Sequence, residues 1–305
     1  MRISVVADVH GNFDALARVA EKSEKLIILG DLLDYVDYHE PTRGILGEMF
    51  GEDNVRHFTV LRSQGAFAEL RQFNVDLWGS MADPVGVLSG IVQQRYRRVL
   101  DSIPGDAVVT LGNVDVAEEW IRVAGDRVPY RDDEMIDIDG VSFAFVAGGV
   151  SRQPVSVNTS NRSNPASSAS APGTLSPQLG AAKISPWRPM MRSQQEYRQI
   201  VDGLGRADVL CSHIPPDLPL LRYDTVPGRI EMAGPGLTDF MRRVRPQFAL
   251  FGHVHQPLSA RTRYGMTECV NVGHFQRVER PYIIDTERIR AARSGATVTR
   301  IPVGR

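Results

Sequence analysis

Five short polar motifs carry the side chains in this chain that could do chemistry. They are Asp8-Val9-His10, Gly30-Asp31, Gly112-Asn113, His213 and His253-Val254-His255. Carboxylate, amide and imidazole groups together supply hard oxygen and borderline nitrogen donors, a set that suits Mn, Fe or Zn ions. The motifs therefore predict a metal site whose ligands are Asp8, His10, Asp31, Asn113, His213, His253 and His255.

The spacing within the motifs favours two ions over one. Asp8 and His10 lie two residues apart, so both can reach one ion from a single turn. His253 and His255 have the same spacing, and we expect them to point to different ions. Two cations need a shared anionic ligand, and one carboxylate on a sharp Gly-Asp turn can bridge them at roughly 3.5–4 Å.

Each motif follows an apolar run that is typical of a buried strand. The runs are RISVVA at 2–7, LIIL at 26–29, AVVTL at 107–111, DVLCS at 208–212 and FALFG at 248–252. Because ligands of open α/β sheets bind at the carboxyl ends of the strands, the motifs are expected to meet at one edge. A lone Gly-Asp is nearly always a turn, so only the five motifs together support this site.

The rest of the chain predicts an α/β protein with β-α units early and strands late. Asn12 is a candidate cap for the helix that follows the first motif. Asp139-Gly140, between two apolar runs, predicts a type I′ hairpin turn. TECVNV at 267–272 predicts a further strand, and 288–304 predicts a closing edge segment. A sheet-on-sheet core with helices outside is therefore expected.

Two stretches fall outside this pattern. Residues 40–104 are too long for a simple crossover and predict a helical cap inserted into one domain spanning 1–305, with plain scaffold packing as the alternative. Residues 151–190 are rich in Ser, Pro, Asn and Ala, which predicts a flexible loop. A passive insertion is the preferred interpretation of this loop, and a substrate lid is the alternative that Trp187 favours.

Composition excludes several classes of partner. A chain of 305 residues with 42% hydrophobic residues can bury a core without a disulfide or metal to hold it folded. A net charge of -1 creates no strong electrostatic attraction to nucleic acid or to an anionic membrane, so neither is an expected partner.

The two cysteines and the N-terminus indicate the compartment. Cys211 and Cys269 lie in apolar runs, which suits a reducing compartment. No apolar leader or spanning run is visible, so a cytoplasmic protein is expected; oligomeric state is left open.

The order D-x-H, G-D, G-N, H, G-H-x-H resembles the calcineurin-like metallophosphoesterase family. DVHGNFDAL at 8–16 and FGHVHQP at 251–257 are similar to its first and last signatures. The resemblance runs from Met1 to about residue 275, but it does not cover residues 40–104 or 151–190 in detail. It implies a four-layer αββα sandwich with a dinuclear site at the strand ends. It also implies a metal-bridging hydroxide that attacks phosphorus in line, opposite the leaving oxygen.

The family pattern divides the ligands between the two ions. By that pattern Asp8, His10 and His255 hold one metal, Asn113, His213 and His253 hold the other, and Asp31 bridges them.

The third motif departs from the family pattern. The family usually has G-N-H-[DE], whereas this chain has Gly112-Asn113-Val114-Asp115. The missing His would contact the phosphate and assist the leaving group, and Val114 cannot donate a proton. Some phosphodiesterase branches of the family also lack that His, so its absence here favours a diester substrate.

His274 is a candidate substrate contact, with a surface or packing role as the alternative. The catalytic candidates are Asp31, Asn113, Asp115 and His274.

The predicted function is metal-dependent hydrolysis of a small phosphodiester, with a phosphomonoester as the alternative substrate. The second motif lacks the Arg-Gly of the protein Ser/Thr phosphatase branch. DNA-repair nucleases of the family keep the third-motif His and need a basic surface, which the charge balance does not support. A non-catalytic protein-binding scaffold is the remaining alternative, but such scaffolds erode the ligand set that is complete here.

Overall fold

The computed structural model describes residues 1–37, 40–151 and 186–293. Most of the predicted loop at 151–190 lies outside the described residues, and so does the end of the predicted edge segment at 288–304. The single-domain division with a cap at 40–104 stays a prediction.

The elements fall in an order that is mostly β-α in the first part and strand-rich in the second. The strands are β1 Arg2–Val6, β2 Lys25–Leu29, β3 Val108–Thr110, β4 Glu134–Ile138, β5 Val141–Val146, β6 Gly149–Val150, β7 Met191–Arg192, β8 Val209–Ser212, β9 Tyr223–Asp224, β10 Arg229–Ile230, β11 Phe248–Phe251, β12 Arg261–Tyr264, β13 Thr267–Asn271 and β14 Tyr282–Asp285. The helices are α1 Phe13–Ala20, α2 Gly44–Phe50, α3 Glu52–Ser63, α4 Phe67–Gly79, α5 Pro84–Asp101, α6 Ala117–Ala124, α7 Gln194–Gly203, α8 Pro219–Arg222, α9 Leu237–Val244, α10 Phe275–Val278 and α11 Thr286–Arg293.

Two sheets carry the site. The first has the order β14-β1-β2-β3 and the second β12-β13-β11-β8-β5-β4. Strands β1, β2 and β3 are parallel to one another, and so are β5, β8, β11 and β13. The antiparallel pairings are confined to the sheet edges. The carboxyl ends of the parallel strands therefore share one edge in each sheet, where the predicted ligands follow.

Side chains of the strands alternate between an inner core and two outer cores. In β2, Ile27 and Leu29 lie between the sheets, whereas Leu26 and Ile28 face the helices. The second sheet contributes Phe143, Phe145, Val209 and Leu250 to the inner core. The outer cores contain residues of α1, α5 and α6 on one side and of α7 and α9 on the other. This period-two alternation builds four layers and confirms the predicted αββα sandwich.

Local signals in the sequence formed as expected. The side chain of Asn12 accepts a hydrogen bond from the Ala15 N–H at 3.3 Å and caps α1. Asp139 and Gly140 have φ of 52° and 73°, and they join the antiparallel pair β4 and β5. Positive φ at both central residues is what a type I′ turn requires, so the hairpin prediction is confirmed.

The described part of 40–104 is helical, with α2 to α5 between residues 44 and 101. Arg95 of α5 is buried and donates to Asp34 at 3.0 Å and to Glu48 of α2. Trp187 stacks on Tyr35, with ring centroids 4.1 Å apart. These contacts tie the helices and the segment after 186 to the loop that follows β2. Within the described ranges, no helix combines the length and apolarity that crossing a membrane requires.

The predicted edge segment at 288–304 is wrong where the structure describes it. Residues 288–293 belong to α11, and β14 pairs with β1 at the edge of the first sheet instead. The run ERIRAAR consists mainly of strong helix formers, which favours a helix there.

Candidate metal centre

The predicted ligands meet at the carboxyl edge of the two sheets. Asp8 follows β1, Asp31 follows β2 and Asn113 follows β3, all in the first sheet. His213 follows β8 and His253 follows β11 in the second sheet. The seven side chains therefore come from both halves of the sandwich, although their role as ligands stays a prediction.

Asp8, His10 and His255 form the first group of donor atoms. Their potential ligand atoms all lie within 4.8 Å of one another. The Nε2 atoms of His10 and His255 are 3.1 Å apart. Two imidazole nitrogens this close need a proton or a cation between them, because their lone pairs would otherwise repel each other. A bound cation satisfies both.

Asp31, His213 and His253 form the second group, also within 4.8 Å. The Asn113 Oδ1 atom lies 2.8 Å from His213 Nε2 and 2.6 Å from His253 Nδ1, so it converges on the same point. Asp31 lies between the groups. Its Oδ1 is 3.3 Å from His213 Nε2, and its Oδ2 is 3.8 Å from His10 Nε2.

The backbone holds several of these residues in a rarely populated conformation. Asp8, His10, Asp31 and His253 have φ of 57°, 40°, 52° and 70°. Residues other than glycine seldom adopt positive φ, and such residues cluster at functional sites. The turns thereby aim adjacent side chains inward. At Gly112 a Cβ atom would overlap the Asp31 carboxylate, so only glycine allows β3 to approach it this closely.

Backbone carbonyls set the tautomers of two imidazoles. His10 Nδ1 lies 2.9 Å from Leu33 O, and His213 Nδ1 lies 2.8 Å from Leu29 O. A carbonyl oxygen only accepts hydrogen bonds, so each Nδ1 carries a proton, and Nε2 is the nitrogen that can offer a lone pair to an ion once it is deprotonated. This arrangement is typical of metal-ligating histidines. The donor set and its tautomers fit two transition-metal ions.

Burial and mutual proximity shift the pKa values of these groups strongly. Burial raises the pKa of the Asp8 carboxyl to about 7 against the attraction of His213. Burial also opposes ionisation of Asp31, but its histidine neighbours lower the pKa of Asp31 well below its usual range. For His213, burial is outweighed by the Asp31 carboxylate, which raises the pKa to about 9. Burial and the charge of His213 lower the pKa of His253 to about 4.

The Asp115 side chain hydrogen-bonds to the protein backbone. Its carboxylate is fully buried and accepts hydrogen bonds from the backbone N–H groups of Leu32, Leu33 and Gly112 at 2.8–3.3 Å. These bonds connect the turn after β3 to the turn after β2. A catalytic role for Asp115 stays a prediction, and its contacts are those of a residue that positions Asp31.

Val114 holds Asp31 through its backbone, with its N–H 3.0 Å from Asp31 Oδ1. Its side chain is partly buried against the outer apolar core of the first sheet. The ring of His274 stacks on His255, with centroids 3.9 Å apart. His274 is therefore next to the first group, while its contact with substrate stays a prediction.

Two residues that contact the ligand turns were missed by sequence reasoning. The Asp224 carboxylate accepts from the His255 N–H at 3.3 Å, and the Gln276 side chain donates to the His10 carbonyl at 3.1 Å. No local motif marks Asp224. For Gln276 the only available signal is its position two residues after His274.

One family matches most of the chain. The model of the family described as calcineurin-like phosphoesterase matches residues 1–257. Among solved structures, TT1561 of Thermus thermophilus is similar, with 10% sequence identity and a TM-score of 0.47 over 93% of this chain and 98% of that chain. No curated protein matches.

Proposed function

This chain belongs to the calcineurin-like phosphoesterase family of metal-dependent hydrolases, and from that premise we propose that it hydrolyses small phosphodiesters at a dinuclear centre. Asp8, His10 and His255 hold one ion, and Asn113, His213 and His253 hold the other. Asp31 is shared between the two ions.

One observation carries the proposal: the Asp31 carboxylate has one oxygen near each group of donors. A shared carboxylate keeps two cations at the short separation that phosphoester hydrolysis uses. The backbone N–H of Val114 and the close approach of Gly112 hold this carboxylate in place. These contacts fix the position of the shared carboxylate.

The bound ions would lower the pKa of a water molecule and offset negative charge on the phosphoryl oxygens. The protein positions the ligand side chains and keeps them away from solvent. Asp8 and Asp31 are almost fully buried, so their charges act in a poorly solvated setting where electrostatic interactions are strong. The carbonyls of Leu29 and Leu33 keep the two imidazoles turned toward the site.

Val114 supports a diester over a monoester. A valine side chain packed against an apolar core neither contacts phosphate oxygens through hydrogen bonds nor protonates a leaving group. A diester carries one negative charge less at phosphorus than a fully ionised monoester, so it relies less on an additional cationic or donor side chain. No contact in the described residues specifically favours the monoester.

The test is a hydrolysis screen of a bis-aryl phosphodiester and an aryl phosphomonoester with Mn²⁺, Fe²⁺, Zn²⁺ and Mg²⁺ in turn. We expect faster hydrolysis of the diester, with activity lost in Asp31→Asn because the shared charge is removed. Faster hydrolysis of the monoester would replace the proposed substrate class. Two tightly bound ions with no hydrolysis of either compound would favour a non-catalytic protein.

A further inference from the structure

Gln276 of α10 makes four hydrogen bonds, and three of them are to the turn after β1. Its backbone N–H donates to the Asp8 carbonyl at 2.9 Å, and its own carbonyl accepts from Asn12 Nδ2 at 2.9 Å. Its side-chain Nε2 donates to the His10 carbonyl at 3.1 Å, and its Oε1 lies 3.2 Å from His274 Nε2. One residue therefore spans the whole turn that carries the first ligands.

The contacts determine which way the amide points. The His10 carbonyl only accepts, so the Gln276 atom beside it must be the nitrogen. The amide oxygen then faces His274, and an oxygen acceptor there requires the proton of His274 to be on Nε2. Gln276 thus selects the orientation and the tautomer of the His274 ring in addition to holding the His10 backbone.

The two residues that hydrogen-bond to the Gln276 amide are His10, which belongs to the first group of donors, and His274, which contacts that group. His10 belongs to that group, and its φ of 40° is unusual for a residue other than glycine. His274 stacks on His255 at an interplanar angle of 14° and lies edge-on to His10 with centroids 6.1 Å apart. The strained backbone of His10 and the stacked ring of His274 each need contacts with other residues to stay in a single conformation.

We infer that Gln276 is a positioning residue for the first metal, acting through the carbonyl of His10 and the ring of His274. The inference rests on the proposed function only in that the first group is taken to bind a metal ion. Outer hydrogen bonds of this kind typically change metal affinity by about 10–100-fold when they are removed. The second group has no bond to the Gln276 side chain among the described residues and should not respond.

The test compares Gln276→Met, Gln276→Glu and a control, Gln247→Met. Gln247 also donates its amide to a backbone carbonyl, that of Ile289 at 2.8 Å, but it lies outside the site. Calorimetric titration with Mn²⁺ follows both ions. Imidazole nitrogen resonances of the metal-free protein report the His274 tautomer, which is a readout independent of activity.

In Gln276→Met we expect one of the two Mn²⁺ ions to bind about 10–100-fold more weakly and the His274 resonances to lose the single Nε2–H form. Gln276→Glu keeps an oxygen toward His274 but places another against the His10 carbonyl. The added negative charge also acts on the ion, so the readout for that variant is the His274 resonances, which should keep the proton on Nε2. Gln247→Met should bind both ions as the wild type does.

Unchanged affinity for both ions in Gln276→Met would overturn the inference. So would equal weakening of both ions together with a lower thermal midpoint, since that pattern describes a general loss of structure. Wild-type protein that binds two ions but hydrolyses neither test ester would contradict the proposed function and leave the positioning result intact.

Discussion

Val114 stands where the third-motif pattern of the family implies a histidine that would assist the leaving group. A nitrophenolate leaves without a proton, whereas an alkoxide needs general acid assistance that is typically worth about 10²–10⁴-fold. We expect Val114→His to accelerate hydrolysis of alkyl esters more than that of nitrophenyl esters. Because the Asp115 carboxylate is committed to backbone N–H groups, it cannot freely orient the new imidazole, and the gain should stay below about 10²-fold.

The measurement is the ratio of kcat/KM for the two ester types in wild type, Val114→His and Val114→Ala. The alanine variant adds no donor and should leave the ratio unchanged. Equal or lower rates of Val114→His on both esters would mean that another residue already protonates the leaving group, with His274 as the first candidate.

Ligand protonation makes metal binding depend on pH. Metal ligands must be deprotonated, and protons therefore compete with the ion at pH values below the pKa of each group. The pKa of Asp8 is raised to about 7 and that of His213 to about 9, so in the metal-free protein at pH 7 His213 is protonated and Asp8 is about half protonated. Apparent affinity should rise with pH by about tenfold per pH unit for each proton displaced, through both groups below pH 7 and through His213 alone from pH 7 to 9.

Calorimetric titration with Mn²⁺ in buffers of different ionisation enthalpy would count the protons released. His253, whose pKa is lowered to about 4, is already neutral there and should release none. An affinity that is flat between pH 7 and 9 would contradict the protonation state assigned to His213.

At the scale of elements, the turns after the strands decide whether the ligands converge. The turn after β3 brings Gly112 against Asp31, and a side chain there would overlap the carboxylate. We expect Gly112→Ala to abolish tight binding of at least one ion, because either Asp31 or the turn must move. Elemental analysis of the purified variant would show one ion or none per chain.

Gly90 in the exposed part of α5 is a matched control. A Cβ atom there meets no other atom within 4 Å. Gly90→Ala should therefore raise the free energy of unfolding by about 0.5–1 kcal/mol, through better helix propensity, with metal content unchanged. Full metal content in Gly112→Ala would show that the turn tolerates a shift and that the close approach is not required.

At the scale of the whole molecule, the candidate ligands come from two sheets that enclose the inner apolar core. Asp8, Asp31 and Asn113 follow strands of the first sheet, while His213 and His253 follow strands of the second. Ions bound at this edge should stabilise the sandwich as a unit, since the unfolded chain cannot assemble the ligands. Each site filled at 100 times its Kd adds about 2.7 kcal/mol to the free energy of unfolding.

Denaturant unfolding with excess Mn²⁺ and with a chelator would measure this stabilisation. Asp31→Asn should unfold at the same denaturant concentration under both conditions. An equal effect of Mn²⁺ on wild type and Asp31→Asn would mean that the ion stabilises the protein at some other place.

The sequence by itself determined which donor side chains follow which strands, and it determined the family. Apolar runs, the Asn12 cap and the Asp139-Gly140 turn are local, so neighbouring residues suffice to encode them. The edge-segment prediction was wrong over residues 288–293, because these residues are mainly strong helix formers and β14 pairs with β1 at that edge instead.

Only the tertiary structure decided how the candidate residues act on one another. Asp115 contacts the loop after β2 across 83 residues, and Gln276 contacts His10 across 266 residues. Such pairs are brought together by the packing of two sheets and by turns held at positive φ, which no short motif encodes. The motifs specify which atoms are available, and the packing of the sheets decides which of them meet.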